Sequence, residues 1–346
     1  MAYSSSGTPR FYINVLEWLN NAGVMELPNI FRTLPVVQEN FVTAINGFDL
    51  EIPPLTAFVG AESGKGFIAI LGHTLHSTNI TYGVATYLSQ DNIINGSLGS
   101  TPETVLPNYD GWSLTRMNLE GITLPENLVN FSTDGSAVAG SIIVGTYYDM
   151  PHSPDLKLTM SREYGGTKTL ETRGGSTLSN TTWTKPPKWG NLGAWELHEN
   201  NYVRGGNIPL TSQKLSRSGR RIWDLSFSYL EGKDTWGSNQ SVFPVYNHET
   251  GNLLNYSPWG SNPSGMPESD LSSYNIYQEN LFTSDDFYSQ VIHKTNGGQL
   301  PFIFQADKTS ISIDSFAICK LDMNSIRFDQ VANGVYNVKL KIREVW

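Results

Sequence analysis

"SRSGRRIWDLSFSYL", residues 216–230, decides the fold class. Trp223, Leu225, Phe227 and Tyr229 fall on one side of an extended chain, and Asp224, Ser226 and Ser228 on the other. That period of two marks a half-buried β-strand. A dense basic turn, Arg217-Ser218-Gly219-Arg220-Arg221, leads into it. The second decisive stretch is "GVYNVKLKIREVW", 334–346. There Tyr336, Val338, Leu340 and Ile342 alternate with Asn337, Lys339, Lys341 and Arg343, which predicts a second core strand.

Short strand-like runs recur outward from these two. "GFIAILGHTL" (66–75), "YGVATYLS" (82–89), "NLVNFS" (127–132) and "GSIIVGTYYDM" (140–150) are separated by Gly, Asn and Pro, the spacing of a β-sandwich or jelly roll. "LTMSREYGG" and "TKTLETRGG" (158–175) read as a strand pair around Gly165-Gly166, and "LPFIFQAD" and "SFAICKLD" as two strands joined by a polar turn. Residues 231–275, rich in Gly, Ser, Asn and Pro, read as a long loop. Two helices are expected. One spans 8–23, capped by Thr8 with Pro9 in its first turn, a shared face of Phe11, Val15, Trp18 and Leu19, and a stop at Gly23. The other spans 282–298, capped by Thr283 or Ser284, with Asp285 and Asp286 at its positive end, His293 and Lys294 near its negative end, and Gly297-Gly298 as terminators.

Composition narrows the function. The chain has 346 residues and a formal net charge of -9, which disfavours a general nucleic-acid binder. Charged residues make up 16% and aromatics 12%, the profile of a loop-rich β protein with a bulky core. A single cysteine, Cys319, precludes an intrachain disulfide, and its strand setting reads as a small buried hydrophobe. The N-terminus lacks a basic segment followed by an apolar one, so no signal peptide is expected. No apolar run approaches the ~20 residues of a membrane-spanning helix. The sequons at Asn79, Asn95, Asn130, Asn180 and Asn239 are read as composition.

Catalytic patterns are sparse. "GAESGKG" (60–66) is one residue short of a phosphate loop and has Gly66 where a Ser or Thr would hold magnesium, so a β-turn is expected. His73 and His76 have a His-x-x-His spacing with no Cys or acidic residue close by, and a hydrogen-bonding role after a buried strand is expected in preference to a metal site. The motifs Gly-x-Ser-x-Gly, His-Glu-x-x-His and the dinucleotide fingerprint do not occur. Neither a catalytic residue, a cofactor nor a metal is expected. Trp183, Trp189, Trp195, Trp236 and Trp259 lie in loop contexts, where aromatic rings stack on sugars or fill a core or a subunit interface.

From "SGRRIWDLSFSYL" onward the order of segments is distinctive: the arginine-rich strand, a helix, "TNGGQLPFIFQAD", "FAICKLD" beside a Cys, and "GVYNVKLKIREVW". This order resembles the distal tail and minor tail proteins of tailed bacteriophages, over roughly residues 158–346. "GFIAILGHTLHSTNITYGVATYLS" looks like the start of a galactose-binding-like jelly roll of the kind inserted in phage tail proteins, with Thr74 where Asn is common. The resemblance implies a mainly β chain. Its body would be a tail-tube-like β-sandwich or barrel with one short flanking helix, and a jelly-roll β-sandwich would be inserted in it. The implied divisions are residues 1–40 and 151–346 for the body, with the loop at 231–275, and 41–150 for the insertion.

The resemblance further implies a non-enzymatic virion structural protein, made in the host cytoplasm. It would assemble as a homo-oligomeric ring in the distal tail or baseplate and join the tail tube to hub, tip or fibre proteins. Two alternatives are a host-glycan-binding adhesion module acting through the jelly roll, and a tail adaptor, terminator or other tube component. A glycan-degrading enzyme is a third reading, which the spacing of carboxylates leaves open. Arg217, Arg220 and Arg221 would meet carboxylates of a neighbouring copy, since guanidinium pairs bidentately with carboxylate. Trp183, Trp189 and Trp195 are further interface candidates. Trp223, Leu225, Phe227, Tyr336, Val338, Leu340 and Ile342 are the expected core.

Overall fold

The computed structural model describes residues 7–41, 48–52, 55–58, 65–73, 77–82, 90–94, 103–104, 112–118, 127–133, 137–156, 159–163, 167–181, 189, 219–235, 281, 284–310, 315–323 and 325–345. The fold is mainly β with few helices. Among the described residues no helix is long and apolar enough to cross a membrane.

The elements run β1 (Arg10–Asn14), α1 (Val15–Asn21), β2 (Glu39–Phe41), β3 (Phe48–Ile52), a 3-10 turn (Leu55–Phe58), β4 (Lys65–Leu71), β5 (Ser77–Tyr82), β6 (Gln90–Ile94), β7 (Glu103–Thr104), β8 (Ser113–Asn118), β9 (Asn127–Thr133), β10 (Ala137–Ala139) and β11 (Ser141–Asp149). They continue with β12 (Thr159–Glu163), β13 (Thr167–Glu171), β14 (Thr177–Thr181), β15 (Arg220–Glu231), α2 (Gly232–Thr235), a helical segment of one π-type turn (Tyr288–Ile292) and one 3-10 turn (His293–Thr295), β16 (Phe302–Gln305), β17 (Phe316–Leu321), β18 (Phe328–Ala332) and β19 (Val335–Glu344).

Among the described residues one 11-stranded antiparallel sheet is the largest, in the order β12-β15-β19-β17-β16-β1-β11-β4-β8-β6, with β18 on the free part of β19. A four-stranded sheet, β3-β9-β5-β7, and two two-stranded pairs, β10-β2 and β13-β14, complete it. The centre of the long sheet is buried on both faces. Phe11 and Ile13 of β1, Phe302 and Phe304 of β16, and Ala317 and Cys319 of β17 enter one core with Trp223, Leu225, Phe227, Val338, Leu340 and Ile342. Tyr12, Ile303, Phe316 and Ile318, from the alternate positions of those central strands, enter a second core with Phe67, Leu71, Trp112, Leu114 and Ile143. Burial on both faces explains why these strands read as unbroken apolar runs ("FYI", "FIF", "FAIC").

Several expectations change at this point. The segment 8–23 is not one helix: Arg10–Asn14 is a strand and only Val15–Asn21 is helical. Asn14 caps that helix, its Oδ1 accepting from Glu17 N at 3.2 Å, while Glu17 Oε2 accepts from Asn14 Nδ2 at 3.2 Å and from Thr33 Oγ1 at 2.8 Å. Phe11 and Tyr12 are held by the sheet, pairing with β11 on one side and β16 on the other. The helix after residue 284 is likewise shorter than expected, and Asp286 caps it: its Oδ1 accepts from Ser289 N at 2.8 Å.

The expected hairpin around Gly165-Gly166 does not form, because its two arms join different sheets. β12 pairs with β15, whereas β13 pairs with β14 through a turn at Arg173-Gly174. The strand pairing also crosses the expected boundary at 150: β11, from the 41–150 segment, lies between β1 and β4. Gly145 makes that crossing possible, since a Cβ there would lie 1.9 Å from the Ile13 carbonyl oxygen. Of the expected 231–275 loop, the described residues are Glu231, which ends β15, and the helical turn Gly232–Thr235.

Candidate functional site

The arginine turn sits at the start of β15, on the long sheet's edge beside β12. Arg217 and Ser218 lie outside the described residues. Gly219 has φ +85 and no room for a side chain, a Cβ there meeting the Glu163 carbonyl oxygen at 3.0 Å. The turn is therefore pressed against β12, and only glycine takes that backbone without strain. Arg220 is half-buried and faces Glu163 in the β12–β15 register.

Arg221 has the same strand parity as Trp223, Leu225 and Phe227, so its side chain turns to the core face. It is buried, and it is satisfied within the chain. Its Nη2 donates to Glu344 Oε1 at 2.9 Å and its Nε to Glu344 Oε2 at 3.2 Å. A further bond from Nη2 reaches the Phe316 carbonyl at 2.7 Å, and the Arg221 backbone N–H donates to Glu344 Oε2 at 2.9 Å. The guanidinium also lies 5.4 Å from the centre of the Trp223 ring. Arg221 thus takes the bidentate carboxylate contact foreseen for it, but the carboxylate belongs to its own terminal strand. Such a pair closes the end of a core without leaving a buried charge unmatched.

A second pair of the same kind stands on the other side of the sheet centre. Arg10 Nη2 donates to Asp149 Oδ2 at 2.9 Å, and Arg10 Nε to Asp149 Oδ1, across the β1–β11 register. The Arg10 guanidinium lies 4.6 Å from the centre of the Tyr147 ring. Burial alone would lower the pKa of Arg10, but its bond to Asp149 and the charges around it raise it. Around the Arg221–Glu344 pair the surface is mixed: Arg343 of β19 pairs with Glu163 of β12, and Lys341 Nζ reaches Asp322 Oδ2 at 3.1 Å.

Of the three tryptophans expected at an interface, Trp189 is buried, and its carbonyl accepts from Trp112 Nε1 at 2.5 Å. Trp183 and Trp195 lie outside the described residues. Of the expected core strand positions, Trp223, Leu225, Phe227, Val338, Leu340 and Ile342 are buried and Tyr336 is half-buried. Tyr229 leaves the alternation: it is 80% exposed with φ +64, and Leu230 takes its place in the core. The register slips between Phe227 and Leu230, a β-bulge that rotates Tyr229 outward.

His73 is buried, and burial pushes its pKa down to about 3; His76 lies outside the described residues. Among the described residues no cluster of His, Cys, Asp and Glu could hold a metal ion. Burial, followed by the charge of Glu344, holds the Cys319 thiol well above its ordinary pKa, which disfavours the thiolate. The long loop tryptophans Trp236 and Trp259 and the region of Thr74 also lie outside the described residues.

Sequence parity contains a signal for the buried pair. Continuing the alternation Tyr336–Ile342 puts Glu344 on the core face, and continuing Trp223–Phe227 backward puts Arg221 there. A core-facing glutamate on one strand and a core-facing arginine on another are the natural match for each other. Comparison with protein-family models, curated proteins and solved structures returns no match.

Proposed function

We propose that this chain is a non-enzymatic structural subunit of a bacteriophage tail. It would work as a homo-oligomeric ring in the distal tail or baseplate, joining the tail tube to tip or fibre proteins. The observation that carries the reading is the contiguity of the segments on which the resemblance rests. β15, β19, β17 and β16 are successive neighbours in one sheet, and Phe287, Val291 and Ile292 of the helical segment enter the core those strands share. These separate stretches of sequence therefore act as one unit, the proposed tail-tube-like body.

The proposed jelly roll draws support from strand count. Among the described residues of 41–150, leaving aside β10, which pairs with β2, the strands divide into β3-β9-β5-β7 and β11-β4-β8-β6, four and four, the number an eight-stranded jelly roll requires. In this reading the jelly roll is joined to the body by the hydrogen bonds between β11 and β1.

Sedimentation velocity and electron microscopy of the purified full chain, followed by antibody labelling of the particle that contains it, test the proposal. Closed rings, or label confined to the tail tip, are expected. A chain that stays monomeric and labels no part of the tail overturns it. Because Arg221 is committed to Glu344, the informative interface variant is Arg220→Ala: weaker assembly with an unchanged melting temperature assigns that side of the sheet edge to the contact.

A further inference from the structure

Lys294 is the one lysine whose side chain is wholly buried among the described residues, with no solvent exposure. Its Nζ donates to the Phe58 carbonyl and to Gln290 Oε1, the latter at 2.6 Å. Gln290 is itself oriented as an acceptor there, because its Nε2 donates to the Ser284 carbonyl at 2.7 Å. An ammonium has three hydrogens to place, whereas an uncharged amine has two. The two acceptors present match the amine, and a third hydrogen would be buried without a partner.

The surrounding charges do not supply that partner. Asp286 already accepts from Ser284 Oγ at 2.6 Å, Ser289 N at 2.8 Å and Ser289 Oγ at 2.7 Å. Asp285 is paired with Lys65 of β4 at 3.4 Å. His293 is on the same turn, and Lys294 lowers its pKa further after burial. Tyr148 of β11 is held neutral, first by burial and then by the acidic residues near it. Glu17 of α1 is taken up by Thr33 and Asn14. β1 presents Phe11 and Ile13 on this side, and the turn Leu55–Phe58 has no ionisable side chain. Burial outweighs the pull of Asp285 and Asp286 and brings the pKa of Lys294 down to about 7.

The place of this contact gives it consequence. Phe58 closes the 3-10 turn that connects β3, in the four-stranded sheet, to β4, in the long sheet. Leu55 and Phe58 are buried, and the Phe58 ring stands edge-on to Trp18 at 5.8 Å. Trp18 in turn meets His293 at 5.4 Å.

We propose that Lys294 is a proton-operated latch between the helical segment and the turn Leu55–Phe58. As the uncharged amine it holds the turn; proton uptake accompanies release of the turn and loosens the connection between the two sheets. The lysine of the released state has the ordinary value of 10.5, and that of the latched state about 7. Release therefore takes up a proton between these values. The opening constant rises about tenfold for each unit that pH falls through that window, and levels off below it.

Hydrogen exchange of the Leu55–Phe58 amides tests this in the full-length protein, with rates corrected for the intrinsic dependence on pH. From pH 9 to pH 7 the wild-type opening constant should rise about fiftyfold, and in Lys294→Met it should be flat. A flat wild-type profile, or an unchanged slope in the variant, overturns the proposal. Selective 13C labelling of lysine gives a second readout that needs no variant. At pH 8.5 the Lys294 Cε resonance should be that of an uncharged amine, and an ammonium shift there overturns the latch.

Discussion

Arg221 and Glu344 face each other across β15 and β19, one step beyond the Ile222–Arg343 register pair, and close the end of the core that Trp223 and Ile342 begin. Their charges are removed from water together, which makes the pair costly to break and cheap to replace. Arg221→Met or Glu344→Leu alone should lower stability by about 3–5 kcal/mol, because each strands one buried charge. The double variant should recover most of that loss. Urea unfolding of the two single variants and the double variant gives the coupling directly, and additive losses would mean that the groups act separately.

Tyr229 offers a gain. A bulky residue at φ +64 is strained, and the exposed ring has little packing to lose. Glycine takes this backbone freely, at some entropic cost in the unfolded chain. Tyr229→Gly should therefore raise stability by about 0.5–1 kcal/mol. The bulge itself should persist, since the bond from Tyr229 N to Asn337 Oδ1 at 3.1 Å is a backbone contact that glycine keeps. A thermal melt decides the direction.

Gly145→Ala should be among the most damaging single-atom additions. The new methyl would sit 1.9 Å from the Ile13 carbonyl oxygen, and a backbone atom cannot rotate away as a side chain can. β1 would have to part from β11 at the middle of the long sheet. The expected loss is about 3 kcal/mol or more, read as a lower urea midpoint or as insoluble protein.

The alternating strands were legible because one face of each meets a core: Trp223, Leu225, Phe227 and Val338, Leu340, Ile342 are buried as their spacing requires. Phe11 reads as helical from sequence because Phe11, Val15, Trp18 and Leu19 also satisfy a helical period. Its true partners, Tyr148 and Phe304, lie far away in the chain and leave no local trace. Tyr229 departs from its sequence parity for a different reason: a bulge inserts one residue, and a period of two cannot announce where it will slip. The buried Arg221–Glu344 pair was encoded in parity, but parity alone does not say which glutamate comes to which arginine. Lys294 gave no signal, because lysine near a helix end is ordinary on electrostatic grounds and its burial depends on the distant turn at Phe58.

Cys319 provides a probe of the central sheet. It is buried on β17, opposite Phe302, and burial holds its thiol well above the ordinary pKa. A thiol reagent at pH 8 should leave the native protein unlabelled and modify it at the rate of global unfolding. Labelling that stays fast in native buffer would mean that β16 and β17 open locally.

Residues 41–150 should not fold alone. Besides β10, their described residues form eight strands, enough for a sandwich, yet β11 lies between β4 and β1, and its far edge is completed by β1. The core beneath it is shared in the same way: Phe67, Leu114 and Ile143 pack with Tyr12, Ile303, Phe316 and Ile318, all from outside the segment. Tyr148 and Met150 belong to the other core, with Phe287 and Trp223. Excising 41–150 would expose those side chains and leave β11 with a bare apolar edge in the middle of what had been a continuous sheet. Each such side chain returned to water costs roughly 1.5–3 kcal/mol, and a domain has only about 5–15 kcal/mol in hand. The fragment should therefore aggregate or give a collapsed amide NMR spectrum. A dispersed spectrum from 41–150 would show that the four-and-four strand set holds together without β1. Extending the fragment to begin at residue 7 separates the two effects: it restores the β1 edge while leaving the second core incomplete, so recovery of folding there would assign the defect to the edge.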